Sequence, residues 1–332
     1  MKRRDVLKTT AAFAAAAALP ARAQMQKEIP KRPLGKTGLN VSILGVGGFH
    51  LGLGDDPGIA DRIVHEAIDS GLNFFDNAWE YNKGESEKRL GAALKGKRDQ
   101  VVLMTKLCSH GRGKQFSLDM LDESLKRLRT DHLDVWQIHE VVYDDDPDLH
   151  YKADGAIEAL TEAKKSGKVR FVGFTGHKDP SLHLRMLAKG YAFDTVQMPL
   201  NCFDASFRSF ERQVLPEVNK RGLAALGMKS MSGRGQPLLE GQITPEEALR
   251  YAMSLPVATT ISGMQTVEVL RQNLAIARGF TPMSEAEKQA LRSRVAEVAA
   301  DGRYELYKTT KSYDADVGRQ QHGYPPPDEL PL

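Results

Sequence analysis

With only two cysteines in 332 residues, Cys108 and Cys202, the chain cannot build an iron–sulfur cluster or a cysteine-based zinc site. No low-complexity tract, coiled-coil repeat or linker divides it. Its 46 basic and 43 acidic residues are interleaved rather than segregated, which excludes a nucleic-acid footprint. The glycine strings do not assemble into a dinucleotide-binding fingerprint of the doubly wound type. No apolar run approaches the roughly 20 residues of a membrane-spanning helix, so no permanent membrane anchor is expected.

What is present begins at the N-terminus. MKRRDVLK carries the pair Arg3-Arg4, an Ala-rich run follows from Thr9 to Leu19, and Ala21-Arg22-Ala23 completes an A-x-A cleavage pattern. Residues 1–23 therefore read as a twin-arginine (Tat) signal peptide. They predict a partnership with the Tat export machinery and a periplasmic or otherwise exported protein. Removing this segment takes away five basic residues (Lys2, Arg3, Arg4, Lys8, Arg22) and one acid (Asp5), leaving 41 basic against 42 acidic residues. The basic balance of the whole chain thus comes from the signal.

Residues 24–332 read as a single domain. KRPLGKTGLNVS offers two short extended pieces, a hairpin placed to plug a barrel bottom. Eight strand–helix units follow, opening with the apolar runs SILGVG (42–47), LNFFDNA (72–78), VVLMTK (101–106), LDVWQIH (133–139), VRFVGFTG (169–176), TVQMPL (195–200), LAALGMK (223–229) and ATTISGM (258–264). Near-continuous apolar strands are buried on both faces, and eight of them predict a (β/α)8, or TIM, barrel, which takes about 250 residues. Thr244-Pro245-Glu246-Glu247, and Ser284 with Glu287, match the capping-box pattern; the second starts an extra C-terminal helix. The tail from about Tyr313, with Pro325-Pro326-Pro327, predicts irregular structure. Cys108 and Cys202 follow strands far apart around such a barrel, beyond the roughly 7 Å reach of a disulfide, so two free thiols are expected.

Three strands run straight into ionisable groups. FFDNAWEY brings Asp76 and Tyr81 to the end of one, and the next two end on Lys106 and His139. In a parallel barrel the carboxyl ends meet at one mouth, where active sites draw residues from several strands. A tyrosine with an ordinary pKa near 10 donates a proton poorly at neutral pH. A lysine ammonium beside it lowers that pKa, provided a carboxylate such as Asp76 holds the ammonium in place. Each residue also has a plain structural reading: Asp76 as a turn cap, Tyr81 and His139 as packing groups, Lys106 as a solvated edge charge.

The constellation resembles the aldo/keto reductase superfamily, over about residues 30–300. FFDNAWEYNKGESEKRLGAAL is similar to the family segment carrying its Asp and Tyr, VLMTK to its lysine strand and WQIH to its histidine strand. The resemblance implies reduction of a small carbonyl substrate, or its reversal, with a nicotinamide cofactor. In it Tyr81 is proton donor, Lys106 its pKa partner, Asp76 the lysine's anchor and His139 the substrate orienter. For the nicotinamide carboxamide, the family's Ser-Asn pair and glutamine correspond to Thr175-Gly176 and Gln197, with His177 or Asn201 left to replace the missing amide. The stacking aromatic corresponds to Met228, with Lys229 beside it facing phosphate or solvent. SGMQTVEVLRQNL resembles the adenosine-phosphate segment, with Gly263 and Asn273 in place but Gln265 where an arginine is common. A 2′-phosphate is best met by a guanidinium fork, for which Arg271 is the substitute. NADP(H) is expected ahead of NAD(H), with both open.

Two other readings stand beside this one. An exported protein with altered cofactor clamps fits a cofactor-binding sensor or interaction protein with little turnover. Asp76, His139, Glu140 and His177 form a set able to ligate a divalent metal. A charged Lys106 among them repels a cation, so no metal is expected there. The acidic run Asp144-Asp145-Asp146 predicts a solvated loop and favours a small neutral or cationic carbonyl compound.

Overall fold

The structure, a computed structural model, describes residues 28–110, 113–311, 313–325 and 329. The expected signal over residues 1–23, and Pro326 and Pro327, lie outside these. Two short strands, β1 (Lys31–Pro33) and β2 (Asn40–Ser42), pair antiparallel as a hairpin. Eight parallel strands then close a barrel: β3 (Leu44–Gly47), β4 (Phe74–Asp76), β5 (Val102–Leu107), β6 (Leu133–Ile138), β7 (Val169–Thr175), β8 (Thr195–Pro199), β9 (Ala224–Met228) and β10 (Thr259–Gly263). They pair in chain order, and β10 returns to β3. The (β/α)8 expectation is met. Among the described residues no helix is long and apolar enough to cross a membrane.

Two apolar cores result from the alternation along each strand. Phe74, Met104, Val135 and Leu226 point into the barrel, where Leu34 and Val41 of the hairpin join them from below. The hairpin turn makes this plug close-fitting: Gly35, at φ +56°, would bring a β-carbon to 2.7 Å from the Ala224 amide nitrogen. Outward-facing Leu103, Trp136, Val172 and Val196 pack under the surrounding helices. Both predicted capping boxes form, with Glu247 N–H donating to Thr244 Oγ1 (3.1 Å) and Glu287 N–H to Ser284 Oγ (3.2 Å). Such a cap is worth about 1 kcal/mol to a helix. Cys108 and Cys202 are both buried and unpaired, as their separation on the barrel predicts.

Two expectations fail. The loop after β6 is not solvated throughout, because Asp146 starts a short helix (Asp146–Tyr151) and is fully buried. Its Oδ2 accepts from the amides of Val142 and Tyr143, both at 2.8 Å, whereas Asp144 stays outside and pairs with Arg185. The tail is not wholly irregular either: residues Asp316–Gln321 form a helix laid across the barrel mouth. It is tied down where barrel groups reach it. The Ala315 amide donates to Glu140 Oε2 (2.8 Å), Lys178 Nζ to Asp314 Oδ1 (2.5 Å) and Gln321 Nε2 to the Cys108 carbonyl (3.2 Å).

Candidate active site

Asp76 is the last residue of β4, and in-register pairing sets it beside Met104 of β5 and Gly47 of β3. Two residues past Met104 on the same inward face, Lys106 is about 1% exposed and reaches back across the strand ends. Its ammonium donates to Asp76 Oδ1 and, at 2.7 Å, to the Asn77 carbonyl. Asp76 Oδ2 accepts from Gln197 Nε2 of β8 at 3.1 Å, so both carboxylate oxygens are engaged. A buried ion pair persists only when its remaining hydrogen-bonding capacity is met in this way.

Tyr81 opens a tight turn in which Asn82 and Lys83 take left-handed φ values of 51° and 56°, steering the chain back into the next helix. Its ring lies edge to face with His139 (centroids 5.6 Å apart), and Lys106 Nζ sits 5.1 Å from its centroid. His139 Nδ1 faces the carboxylate of Glu80. The structure thus gathers Asp76, Tyr81, Lys106 and His139 at one end of the barrel. They share it with Glu80, which motif reading passed over although it directly precedes Tyr81.

The expected lowering of the Tyr81 pKa is not what this arrangement produces. Burial, then the charges of Asp76, Glu80 and Glu140, push the phenol well above its ordinary value. The Lys106 ammonium, bound to Asp76 and the Asn77 carbonyl, does not reverse this shift. The phenol keeps its proton.

A second tier lies above. Glu140, at φ 55°, directly follows His139. Burial pushes its carboxyl up, but His177, His139 and His110 outweigh that and bring it down to about 2. His177 donates through Nδ1 to the Tyr307 carbonyl (3.0 Å), and burial lowers its own pKa. Lys229 stands over the rings of Tyr307 and Tyr313, 5.1 and 5.0 Å from their centroids; burial brings its pKa down to about 8.

Together these groups line a cavity of about 970 Å³ at the mouth, roofed by tail residues including Asp314 and Asp316. Of the residues expected to touch a cofactor, Gln197, Met228, Lys229 and Gly263 line it. Thr175 Oγ1, Gln197 Oε1 and Asn273 Oδ1 are buried with no partner among the described residues, which is the condition of groups awaiting a polar ligand. Asn201 is committed elsewhere. Its Oδ1 accepts from the amides of Phe203 and Asp204, and its Nδ2 donates to the Tyr307 hydroxyl (2.9 Å) and the Lys229 carbonyl. It caps a turn and is not free to replace a carboxamide clamp.

Gly176 carries no amide for a steric reason: a β-carbon there would lie 2.3 Å from the Val141 carbonyl oxygen. Gln265 is exposed at the start of the last barrel helix and outside the cavity wall. Arg271 forms a two-pronged ion pair with Glu66 (2.7 and 3.0 Å) on the outer surface and does not reach the mouth. The metal reading of Asp76, His139, Glu140 and His177 also meets an obstacle, since Lys106 already occupies Asp76.

The chain matches the Aldo/keto reductase family over residues 43–247. It belongs to that family. This aldo/keto reductase is 26% identical over 325 residues to the uncharacterized oxidoreductase YqkF of Bacillus subtilis, covering 85% of the chain and 99% of that protein. A shorter stretch of 161 residues is 36% identical to L-galactose dehydrogenase of Arabidopsis thaliana, covering 45% and 49% of the two chains. Among solved structures, the holo form of an aldo-keto reductase from Bacillus halodurans superposes with a TM-score of 0.68 at 26% identity, over 80% of this chain and 96% of its own. The fold is also that of an aldo/keto reductase from Klebsiella pneumoniae solved with NADP and acetate, at TM-score 0.64 and 20% identity, over 82% and 95% of the chains. The protein is an enzyme, an oxidoreductase of the NAD(P)H-dependent aldo/keto reductase type.

Proposed function

We propose that the enzyme reduces the carbonyl group of a small substrate, or oxidises the corresponding alcohol, with Tyr81 as the proton donor. The observation that carries this is the convergence of four groups at the barrel mouth: the Lys106–Asp76 pair, with Lys106 Nζ 5.1 Å from the Tyr81 ring centroid and His139 edge to face with that ring. A bound nicotinamide supplies the hydride. Tyr81 gives its proton to the carbonyl oxygen as charge develops there, and His139, held by Glu80, orients that oxygen. Lys106 is the cation that steadies the phenolate left behind.

The buried, unpartnered Thr175 and Gln197 oxygens suit the carboxamide, and Met228 packs against the ring. Lys229 and Arg234 on the cavity wall suit phosphates, with Gly263 and Asn273 toward the adenosine end. NADP(H) stands ahead of NAD(H), supported by the NADP bound to the Klebsiella neighbour, although Arg271 is too far engaged with Glu66 to grip a 2′-phosphate. Glu80, Glu140, Asp314 and Asp316 share the cavity wall with Lys83, Arg127, Lys229 and Arg234; with Lys229 and Arg234 assigned to cofactor phosphates, the acids support a neutral or cationic substrate. The sensor reading draws on the altered carboxamide and phosphate positions alone, and the complete tetrad favours turnover.

The test is reduced-nicotinamide absorbance with NADPH and NADH in turn, before and after a panel of small aldehydes. Oxidation of bound cofactor on aldehyde addition is expected; binding of the reduced cofactor without its oxidation by any aldehyde would sink the reading. A pH dependence follows from Lys229. With its pKa near 8, the ammonium is present below about pH 7 and lost as pH rises through 8. Dinucleotide affinity should fall about tenfold over that range, the worth of one charged hydrogen bond. Calorimetric titrations at stepped pH would show this, and K229Q should flatten the profile at the weak end.

We also propose that the enzyme acts outside the cytoplasm, on the strength of Arg3-Arg4 and the A-x-A pattern. Cell fractionation should find the wild type exported and the Arg3→Lys/Arg4→Lys double variant retained. Equal distribution of the two would dismiss it.

A further inference from the structure

Beside the catalytic cavity, where the loop after β5, the loop after β6 and the C-terminal helix meet, three potential ligands converge without including any member of the tetrad. They are His110, Asp146 and His322, whose ligand atoms all lie within 4.8 Å of one another. His110 and Asp146 are fully buried, and His322 nearly so. His110 Nδ1 is 3.1 Å from Asp146 Oδ1, and His322 Nε2 is 3.6 Å from the same oxygen. Ligands bound to a tetrahedral zinc ion at about 2.0–2.1 Å stand about 3.3 Å apart, so the two observed separations bracket the edge of such a site.

Within the cluster His110 Nδ1 and Asp146 Oδ1 are within hydrogen-bond distance of each other, a contact that a bound cation would replace. His322 Nδ1 lies 3.0 Å from the Gly318 carbonyl, which can only accept, so Nδ1 carries the proton. Its Nε2 faces two carboxylate oxygens, those of Asp145 (3.4 Å) and Asp146 (3.6 Å). It has no hydrogen-bond partner among the described residues. Two carboxylates around an unpartnered imidazole nitrogen make a place for positive charge, which a bound cation would supply.

The outer contacts are those of an oriented ligand set. Asp146 Oδ2 is fixed by two backbone amides, leaving Oδ1 to face the cluster, and His322 is fixed by a backbone carbonyl. His150, one helical turn beyond Asp146, is buried with both ring nitrogens unpartnered. Asp145, exposed on the outer side with Oδ1 3.4 Å from His322 Nε2, is a candidate fourth ligand.

We infer that His110, Asp146 and His322 bind one divalent transition-metal ion of the zinc class, which fastens the C-terminal helix to the barrel mouth. Two imidazoles and a carboxylate are the donor set such an ion prefers. Because residues 313–320 roof the substrate cavity, the ion would set the shape of that roof without entering the redox chemistry.

The test uses untagged full-length protein stripped with EDTA and titrated with Zn²⁺ by calorimetry, and with Co²⁺ by visible absorbance. The expected result is one ion per chain, tetrahedral Co²⁺ bands without a thiolate charge-transfer band, and a zinc-dependent rise in Tm. His322→Ala should weaken binding by on the order of a hundredfold or more and abolish the Tm rise. Absence of stoichiometric metal would overturn the proposal. So would an ion that survives His322→Ala but is lost in Cys108→Ser, which would assign it to the overlapping Cys108, His110 and Glu140 group. Should His322→Ala fail to fold, the cobalt spectrum of the wild type still separates the two ligand sets through the thiolate band.

Discussion

Tyr81→Phe is expected to slow carbonyl reduction by about two to four orders of magnitude, the usual worth of a positioned general acid, while dinucleotide binding stays intact. The reasoning is local. The phenol ring packs against His139 and over Lys106, and phenylalanine keeps both contacts, losing only the hydroxyl. In kinetic terms the loss should fall on kcat, because the proton is transferred only as the transition state forms. Stopped-flow hydride transfer under saturating cofactor and aldehyde is the measurement. A variant that retained most of its rate would move the proton donor elsewhere, with His139 the first residue to examine.

Lys106→Met should cost stability as well as activity, by about 3–5 kcal/mol, because Asp76 is left as a buried carboxylate with Gln197 as its remaining side-chain partner. Asp76→Asn leaves the complementary fault, an ammonium whose anchors are the Asn77 carbonyl and a neutral amide. The double variant Asp76→Asn/Lys106→Met removes both charges and should regain much of the lost stability without regaining turnover. Denaturant midpoints for the three variants read the coupling directly. Additive losses in the double variant would mean that the two charges do not stabilise each other through their contact.

The elements legible in the sequence were those fixed by short-range chemistry. Apolar runs ending on Asp76, Lys106 and His139 told where β4, β5 and β6 stop, since a strand buried on both faces tolerates charge only at its ends. Thr244 with Glu247 and Ser284 with Glu287 marked two helix starts to the residue, because a capping box is a local bond between residues three apart. What was not legible depended on neighbours distant in the chain. Arg271 pairs with Glu66, about two hundred positions away, so its helix face said nothing of this. Gly176 is forced by the Val141 carbonyl of the preceding unit. Asp146 looks like one of three solvated acids until the amides of Val142 and Tyr143 turn it inward. The sign of the Tyr81 shift was not legible either, because burial of the phenol and the carboxylates of Asp76, Glu80 and Glu140 act on it only in the folded site.

The roof made by residues 313–322 has a consequence for the order in which the molecule is completed. The tetrad comes from β4 to β6 and the turn after β4, whereas Gln197, which holds Asp76, comes from β8. The chamber around the tetrad also needs residues of the tail, from Tyr313 to Gln320. Without the contacts of Asp314 to Lys178 and of Ala315 to Glu140, the reacting groups would stand in an open-topped vessel. Loading before closure would leave the cofactor walled in by the chain's own end, so that its escape waits on the tail lifting again.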